Sequence, residues 1–333
     1  MGLHKTGSTT LQSLCKGSLS ELAKAGFYYP IVEMNYGKEK DPFPENHTRL
    51  VCYLFEPGAG QFDRGRKVLE ANIKAVQDAV WRQLKNDSRH LVIIAERISR
   101  FDERAFANLK IFFEELGYNI VPFCILRPPG EWLNSMVAQW VAGARSKMVS
   151  IEKAVSWFEK DGSLIKRRIG IINEALPQTK FITLEEITST KSNLSNWFSE
   201  IIGLPDINQD IKANQRLSEH TVRFASMVNS VGQRNKIKKF FSYLTTNNSE
   251  ILKLPGNPFS LTKDEIAPVS KILADEEVWF DKNFYRSTPN AKMLFKTEKP
   301  KLTVEQKTWI ENNLTDLERP FDKLLEHYIQ LNS

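Results

Sequence analysis

Three cysteines in 333 residues, Cys15, Cys52 and Cys124, are an odd number at wide spacing, which argues against a disulfide framework or a zinc site. Two of them fall in apolar helix or strand patterns, so buried thiols in a reducing compartment are expected. No His/Cys/Asp cluster stands at metal-ligand spacing, although five histidines are present. Every unbroken apolar stretch falls well short of the ~20 residues that span a bilayer. No charged-then-apolar leader with a small-residue cleavage site is visible, so a cytoplasmic chain is expected. Repeats and low-complexity linkers are also missing. What is present is ordinary for a folded protein: 41% hydrophobic and 26% charged residues. The net charge of +6 suits a small polyanionic ligand or an acidic substrate. The basic residues are dispersed, and there is no recognition helix, zinc finger or RNA-binding signature, so nucleic acid is not an expected partner.

The hydrophobic periodicity alternates between helix and strand. Leu11, Leu14, Cys15, Leu19 and Leu22 form a helical stripe that Gly26 ends. A helix over residues 66–86 carries Leu69, Ile73, Val76, Val80 and Leu84 on one face. His90 to Ala95 reads as a short buried strand, and Phe106, Leu109, Phe113 and Leu116 as the face of a helix that Gly117 ends. Asn119 to Leu126 is a near-continuous apolar run of the kind a buried parallel strand shows. Helices continue to about Ala175, Lys180 to Leu184 is another strand, and the chain from about Leu194 is largely helical. Residues Thr303 to Tyr328 close it with a helical segment, and Pro255 to Pro258 is a surface loop. This order predicts an α/β fold with a mostly parallel sheet, P-loop-like, covered by helices on both faces, and a helical C-terminal part. A single domain over residues 1–333 is expected.

Two short motifs carry the chemistry. The first is Lys5-Thr6-Gly7-Ser8-Thr9-Thr10 at the mouth of the first helix. Backbone N–H groups at a helix start and the helix dipole favour an anion, and Lys5 adds a full positive charge. The order is not that of a Walker A loop, because the lysine precedes the glycine and no G-K-S or G-K-T occurs. The second is Arg127-Pro128-Pro129-Gly130-Glu131-Trp132-Leu133-Asn134-Ser135, which follows the apolar strand. Leu133, Val137, Trp140 and Val141 give the next helix a buried face, so Arg127 stands at a strand end where open α/β sheets bind ligands.

Together these motifs resemble the sulfotransferases that use 3′-phosphoadenosine 5′-phosphosulfate, and within them the bacterial carbohydrate-type branch. The stretch from Lys5 to Leu11 resembles their 5′-phosphosulfate loop, and Arg127 with Ser135 resembles their 3′-phosphate pair. The family has an acidic and a basic residue inside the second motif, where Pro128 and Gly130 stand here. Residues Phe181 to Glu186 and Trp279 to Tyr285 resemble the family weakly.

The resemblance implies transfer of a sulfuryl group to a hydroxyl of a carbohydrate or glycolipid, with no metal. It implies that Lys5 neutralises the bridging oxygen of the leaving group. Thr6, Gly7, Ser8, Thr9 and Thr10 then hold the 5′-phosphate, while Arg127 and Ser135 hold the 3′-phosphate. Glu96, just after the strand His90 to Ala95, is expected to face the cleft and to act as the base. His47, in Pro44-Glu45-Asn46-His47-Thr48, is the other candidate base and an acceptor contact. The alternative reading of Glu96 is a carboxylate pairing with Arg97 or Arg100. His4 lies beside the loop, and Asn214, Ser218 and the Gly232 to Lys236 stretch are further candidates to close over the nucleotide. A strand is expected to feed the phosphate loop, yet only Met1 to His4 precede Lys5, so an upstream apolar run is expected to be encoded in frame. A P-loop kinase or ATPase and a degenerate nucleotide-binding protein are the alternative functions.

Overall fold

The computed structural model describes residues 6–31, 35–36, 39–40, 47–56, 70–85, 87–142, 149–160, 165–191, 193–204, 217–231, 254–284, 295–313 and 319–332. Lys5, His4, Leu69, Asn214, the Gly232 to Lys236 stretch and Tyr285 lie outside the described residues. The chain divides into two compact units, Met1–Arg127 with Lys166–Asn214 and Pro128–Ile165 with Gln215–Ser333.

In the first unit, the opening apolar stripe forms two helices, α1 (Ser8–Gly17) and α2 (Leu19–Lys24). They are separated at Ser18, whose N–H turns back to the Cys15 carbonyl at 3.2 Å. Gly26, at φ 81°, then ends the helical run. Next come β1 (Phe27–Tyr28), the antiparallel pair β2 (Asn35–Tyr36) and β3 (Glu39–Lys40), and α3 (His47–Phe55). Then follow α4 (Glu70–Lys85), β4 (His90–Leu91), a 3-10 turn over Glu96–Arg100, α5 (Glu103–Glu115) and β5 (Phe123–Leu126). Asp102 caps α5 by accepting the Ala105 N–H at 2.8 Å.

The chain then enters the second unit with α6 (Pro129–Ala142) and α7 (Ile151–Lys160). It returns through α8 (Ile165–Ala175), β6 (Lys180–Thr183), α9 (Leu184–Lys191) and α10 (Leu194–Ile201).

Two parallel pairs result: β1 with β4, and β5 with β6 in the register Phe123↔Lys180 to Leu126↔Thr183. The described fold is therefore mixed α/β, mostly helical, with short parallel strands. Parallel pairing needs a crossover, which the helices between the paired strands supply. Helix α1 lies in the core of this unit, where Leu11, Leu14 and Cys15 pack with Ile94, Ile125 and Trp197. A second cluster joins Phe55 to Phe101, Phe112 and Phe113, with ring centroids 5.5–6.1 Å apart. All three cysteines are buried free thiols, and burial pushes Cys15 and Cys52 up to about 12.

The second unit is helical among its described residues. Around α6 pack α7, α11 (Glu219–Val231) and α13 (Ser270–Phe284). A short α12 (Lys263–Ile266) opens with a capping box in which Thr262 and Glu265 satisfy each other's backbone N–H groups. Glu265 also holds Arg223 in a buried pair at 2.6 Å. Asn229 ties α11 to both ends of the link after α6, donating to the Val141 and Val149 carbonyls at 3.0 and 2.9 Å. The expected closing helical segment is α14 (Val304–Asn313) and α15 (Arg319–Leu331). No helix among the described residues is long and apolar enough to cross a membrane.

Candidate functional site

Thr6 is fully buried, and Gly7 turns the chain into α1 with φ 94°, in the left-handed region. A Cβ at Gly7 would also collide with the Leu194 side chain of α10, so any other residue there is strained on two counts. Gly7 at the N-cap brings no side chain to cap α1, and no acidic residue stands in its first turn. The first backbone bond of the helix is Leu11 N–H to the Gly7 carbonyl at 3.1 Å, so the Ser8, Thr9 and Thr10 N–H groups precede it. Such a start favours a bound anion. Thr9 is exposed, Thr10 is half-buried and Ser8 is buried.

The Ser8 hydroxyl points at Glu96, donating to Oε2 at 3.4 Å, the long end of such a bond. Glu96 opens the 3-10 turn and is half-buried. Its neighbour Arg97 is engaged elsewhere, gripping Glu56 of the turn after α3 at 2.6 and 2.8 Å in a two-pronged pair. Arg97 is thus held by a carboxylate other than Glu96.

The strand leading to Glu96 was expected from His90 to Ala95, but only His90 and Leu91 belong to the ladder. The reason lies on the neighbouring strand. His90 N–H donates to the Gly26 carbonyl and Val92 N–H to the Tyr28 carbonyl, both at 2.9 Å. The next bond would require Pro30 to donate to Val92, and proline has no N–H. The strands part at this point, and the imidazole of His47 stands between them. Ile94 N–H donates to its Nδ1 at 3.0 Å, and its Nε2 faces the Pro30 carbonyl at 2.8 Å. Because Nδ1 accepts, the ring is neutral with its proton on Nε2, donated to Pro30. Tyr29 covers the ring with centroids 4.3 Å apart. Burial lowers the His47 pKa to about 4, while the bond to the Pro30 carbonyl pulls the other way.

The carbonyl of Ile94 is held as well, by Gln12 of α1, whose Nε2 donates at 2.9 Å. Both peptide groups of Ile94 are therefore held by side chains rather than by a strand. Gln12, Pro30 and Glu56 were not singled out from the sequence. Gln12 leaves a trace there, as a polar residue inside the Leu11, Leu14, Cys15 stripe. Pro30 leaves another, as a breaker just after an apolar strand.

Arg127 follows directly on β5 and is half-buried in the first unit, and Ser135 is half-buried in the second turn of α6 in the second unit. The start of α6 holds a carboxylate of its own chain. Gly130 N–H donates to Glu277 of α13 at 2.6 Å. Glu277 is raised to about 7, first by burial and then by Asp281, Glu131 and Glu276 nearby, with the Gly130 bond acting against them. Ser218 is committed to capping α11, accepting the Thr221 N–H at 3.1 Å. Among the described residues no three His, Cys, Asp or Glu side chains are grouped as a metal site. Comparison of the chain with protein-family models, curated proteins and solved structures finds no match.

Proposed function

We propose that this chain transfers a sulfuryl group from 3′-phosphoadenosine 5′-phosphosulfate to a hydroxyl of a carbohydrate-type acceptor. The observation that carries the reading is the meeting of Ser8, at the uncapped start of α1, with Glu96, across 88 residues of chain. A turn built for an anion and a carboxylate able to take a proton then share one place, as in-line transfer to an oxygen requires. Gly7 at positive φ makes the tight turn from which the first N–H groups of α1 can approach a phosphate, and its missing Cβ leaves room for Leu194. The two parallel pairs fit the flanks of a P-loop-like sheet with helices on both faces, and the buried thiols suit a reducing, cytoplasmic setting.

In this mechanism Glu96 takes the proton of the acceptor hydroxyl. A new bond forms between the acceptor oxygen and sulfur, and the bond between sulfur and the bridging oxygen breaks. Lys5 neutralises the charge that gathers on that oxygen, and the N–H groups around Gly7 to Thr10 keep the 5′-phosphate in line. Arg127 is assigned the 3′-phosphate, which distinguishes this donor from ATP. His47, with both nitrogens engaged, is assigned no proton transfer.

Thermal unfolding with nucleotides tests the reading. Adenosine 3′,5′-bisphosphate should stabilise the protein far more than AMP, and Arg127→Ala should erase the difference. Protection by ATP with magnesium and none by the bisphosphate would replace this reading with a kinase or ATPase. Sugar acceptors with labelled donor then identify the product.

A further inference from the structure

We propose that His47 is a positioning residue, a wedge in the β1–β4 ladder that aims Glu96 at the start of α1, and that it takes no proton in the reaction. The role of Glu96 rests on the sulfuryl-transfer reading, whereas the wedge stands on geometry alone. Were the two strands to continue side by side, Ile94 N–H would reach the Pro30 carbonyl directly, as His90 and Val92 reach Gly26 and Tyr28. The imidazole instead lies in series between donor and acceptor, 3.0 Å from one and 2.8 Å from the other, and holds the strands a ring's width apart. Gln12 fixes the other peptide group of Ile94 to the helix whose first residue is Ser8. The strand is thereby drawn off its neighbour and tied to α1 two residues before Glu96, and the Glu96 carboxylate meets Ser8.

Only one form of the ring serves. Ile94 offers a proton and Pro30 a lone pair, so the wedge needs a neutral imidazole with its proton on Nε2. Protonation would set two N–H groups against each other at Ile94. A base needs a lone pair free for the substrate, and the lone pair of His47 is already used. Tyr29, Pro30 and Ile94, the ring's partners among the described residues, are all uncharged, and the residue is buried.

The test compares wild type with His47→Gln, which keeps one acceptor and one donor, and His47→Leu, which keeps neither. Three quantities are read: the 15N shifts of the His47 ring, hydrogen exchange at the Ile94 amide, and transfer to a sugar acceptor alongside bisphosphate binding. The ring should remain neutral and protonated on Nε2 from pH 5.5 to 8, although a free histidine titrates near ~6.5. His47→Gln should keep the Ile94 amide protected, retain transfer within about tenfold, and leave the acid limb of the pH–rate profile in place. His47→Leu should expose that amide and lower kcat about 100-fold or more, with bisphosphate affinity nearly unchanged. If His47→Leu does not fold, the wild-type tautomer and the His47→Gln profile decide.

A ring that titrates near neutrality, a proton on Nδ1, or His47→Gln with a displaced acid limb would overturn the proposal. An unchanged Ile94 amide in a folded His47→Leu would do the same. A wild-type protein that neither binds bisphosphate nor transfers sulfate overturns the role given to Glu96, and with it the positioning claim. That failure is recognisable because the tautomer and the Ile94 exchange do not depend on it.

Discussion

Glu277→Gln should make the protein more stable in alkali, although it removes a buried carboxylate that accepts a hydrogen bond. Gln keeps the shape and an oxygen for the Gly130 N–H, which Glu277 accepts at 2.6 Å, and discards only the charge. That charge is disfavoured by burial first and by Asp281, Glu131 and Glu276 next, so the carboxyl is raised from 4.5 to about 7. Between those two values the folded state holds more protons than the unfolded one, and stability therefore falls as pH rises through the window. Above it the full cost is present, of order 3 kcal/mol for a rise of this size. The opposing effect is the attraction of a carboxylate for the start of α6, worth ~0.3–1 kcal/mol and at most about 2. Burial should win. Urea unfolding from pH 4.5 to 8 reads the result. The variant and wild type should match at the acid end, and the variant should lead by about 3 kcal/mol at pH 8, or roughly 4 °C in Tm for a chain of this length. A variant less stable than wild type at pH 8, or a difference independent of pH, would mean that the Gly130 bond needs the charge and would refute the reasoning.

His47 should act with the opposite sign. Its pKa is lowered to about 4 by burial, so acidification from about 6.5 should cost stability, by order 3 kcal/mol on reaching pH 4; His47→Gln should flatten that loss in the same urea series. Gly7→Ala should cost about 1–2 kcal/mol for a left-handed residue with a side chain, plus the collision with Leu194. In a Gly7→Ala, Leu194→Ala double variant the unfolding free energies should depart from additivity by the relieved collision. Glu96→Gln should reduce transfer by about 100- to 10,000-fold while bisphosphate binding and Tm hold, which separates a lost base from lost packing. Lys5→Ala should lower turnover about 100-fold or more and weaken bisphosphate binding less, measured by labelled transfer and by calorimetry.

Much of what is local was determined by the sequence. The stripe from Leu11 to Leu22, stopped at Gly26, is a property of neighbours three and four residues apart, and it appears as α1 and α2 with Gly26 at positive φ. The same holds for the helix that Gly117 closes, whereas of the apolar run Asn119 to Leu126 only Phe123–Leu126 belongs to a strand. The turn at Gly7 into α1 was legible for a similar reason, because a helix start is made of consecutive residues. The strand His90 to Ala95 was legible only in part, because its length in the ladder depends on a proline 60-odd residues earlier, and periodicity carries no record of the partner strand.

The tertiary structure alone decided which polar side chains are enclosed and which meet across the fold. Glu96 and His47 are both titratable residues near polar loops, and nothing along the chain distinguishes them. In the fold, His47 is enclosed and both its nitrogens are spoken for, while Glu96 meets Ser8. Arg97, the neighbour of Glu96 in sequence, grips the carboxylate of Glu56. Gln12, a polar residue in an apolar stripe, finds its partner in the Ile94 carbonyl, which no strand takes. These pairings lie 17 to 88 residues apart. They arise because buried polar groups must find partners wherever packing leaves them, a requirement imposed on the whole unit and not on any segment of its sequence.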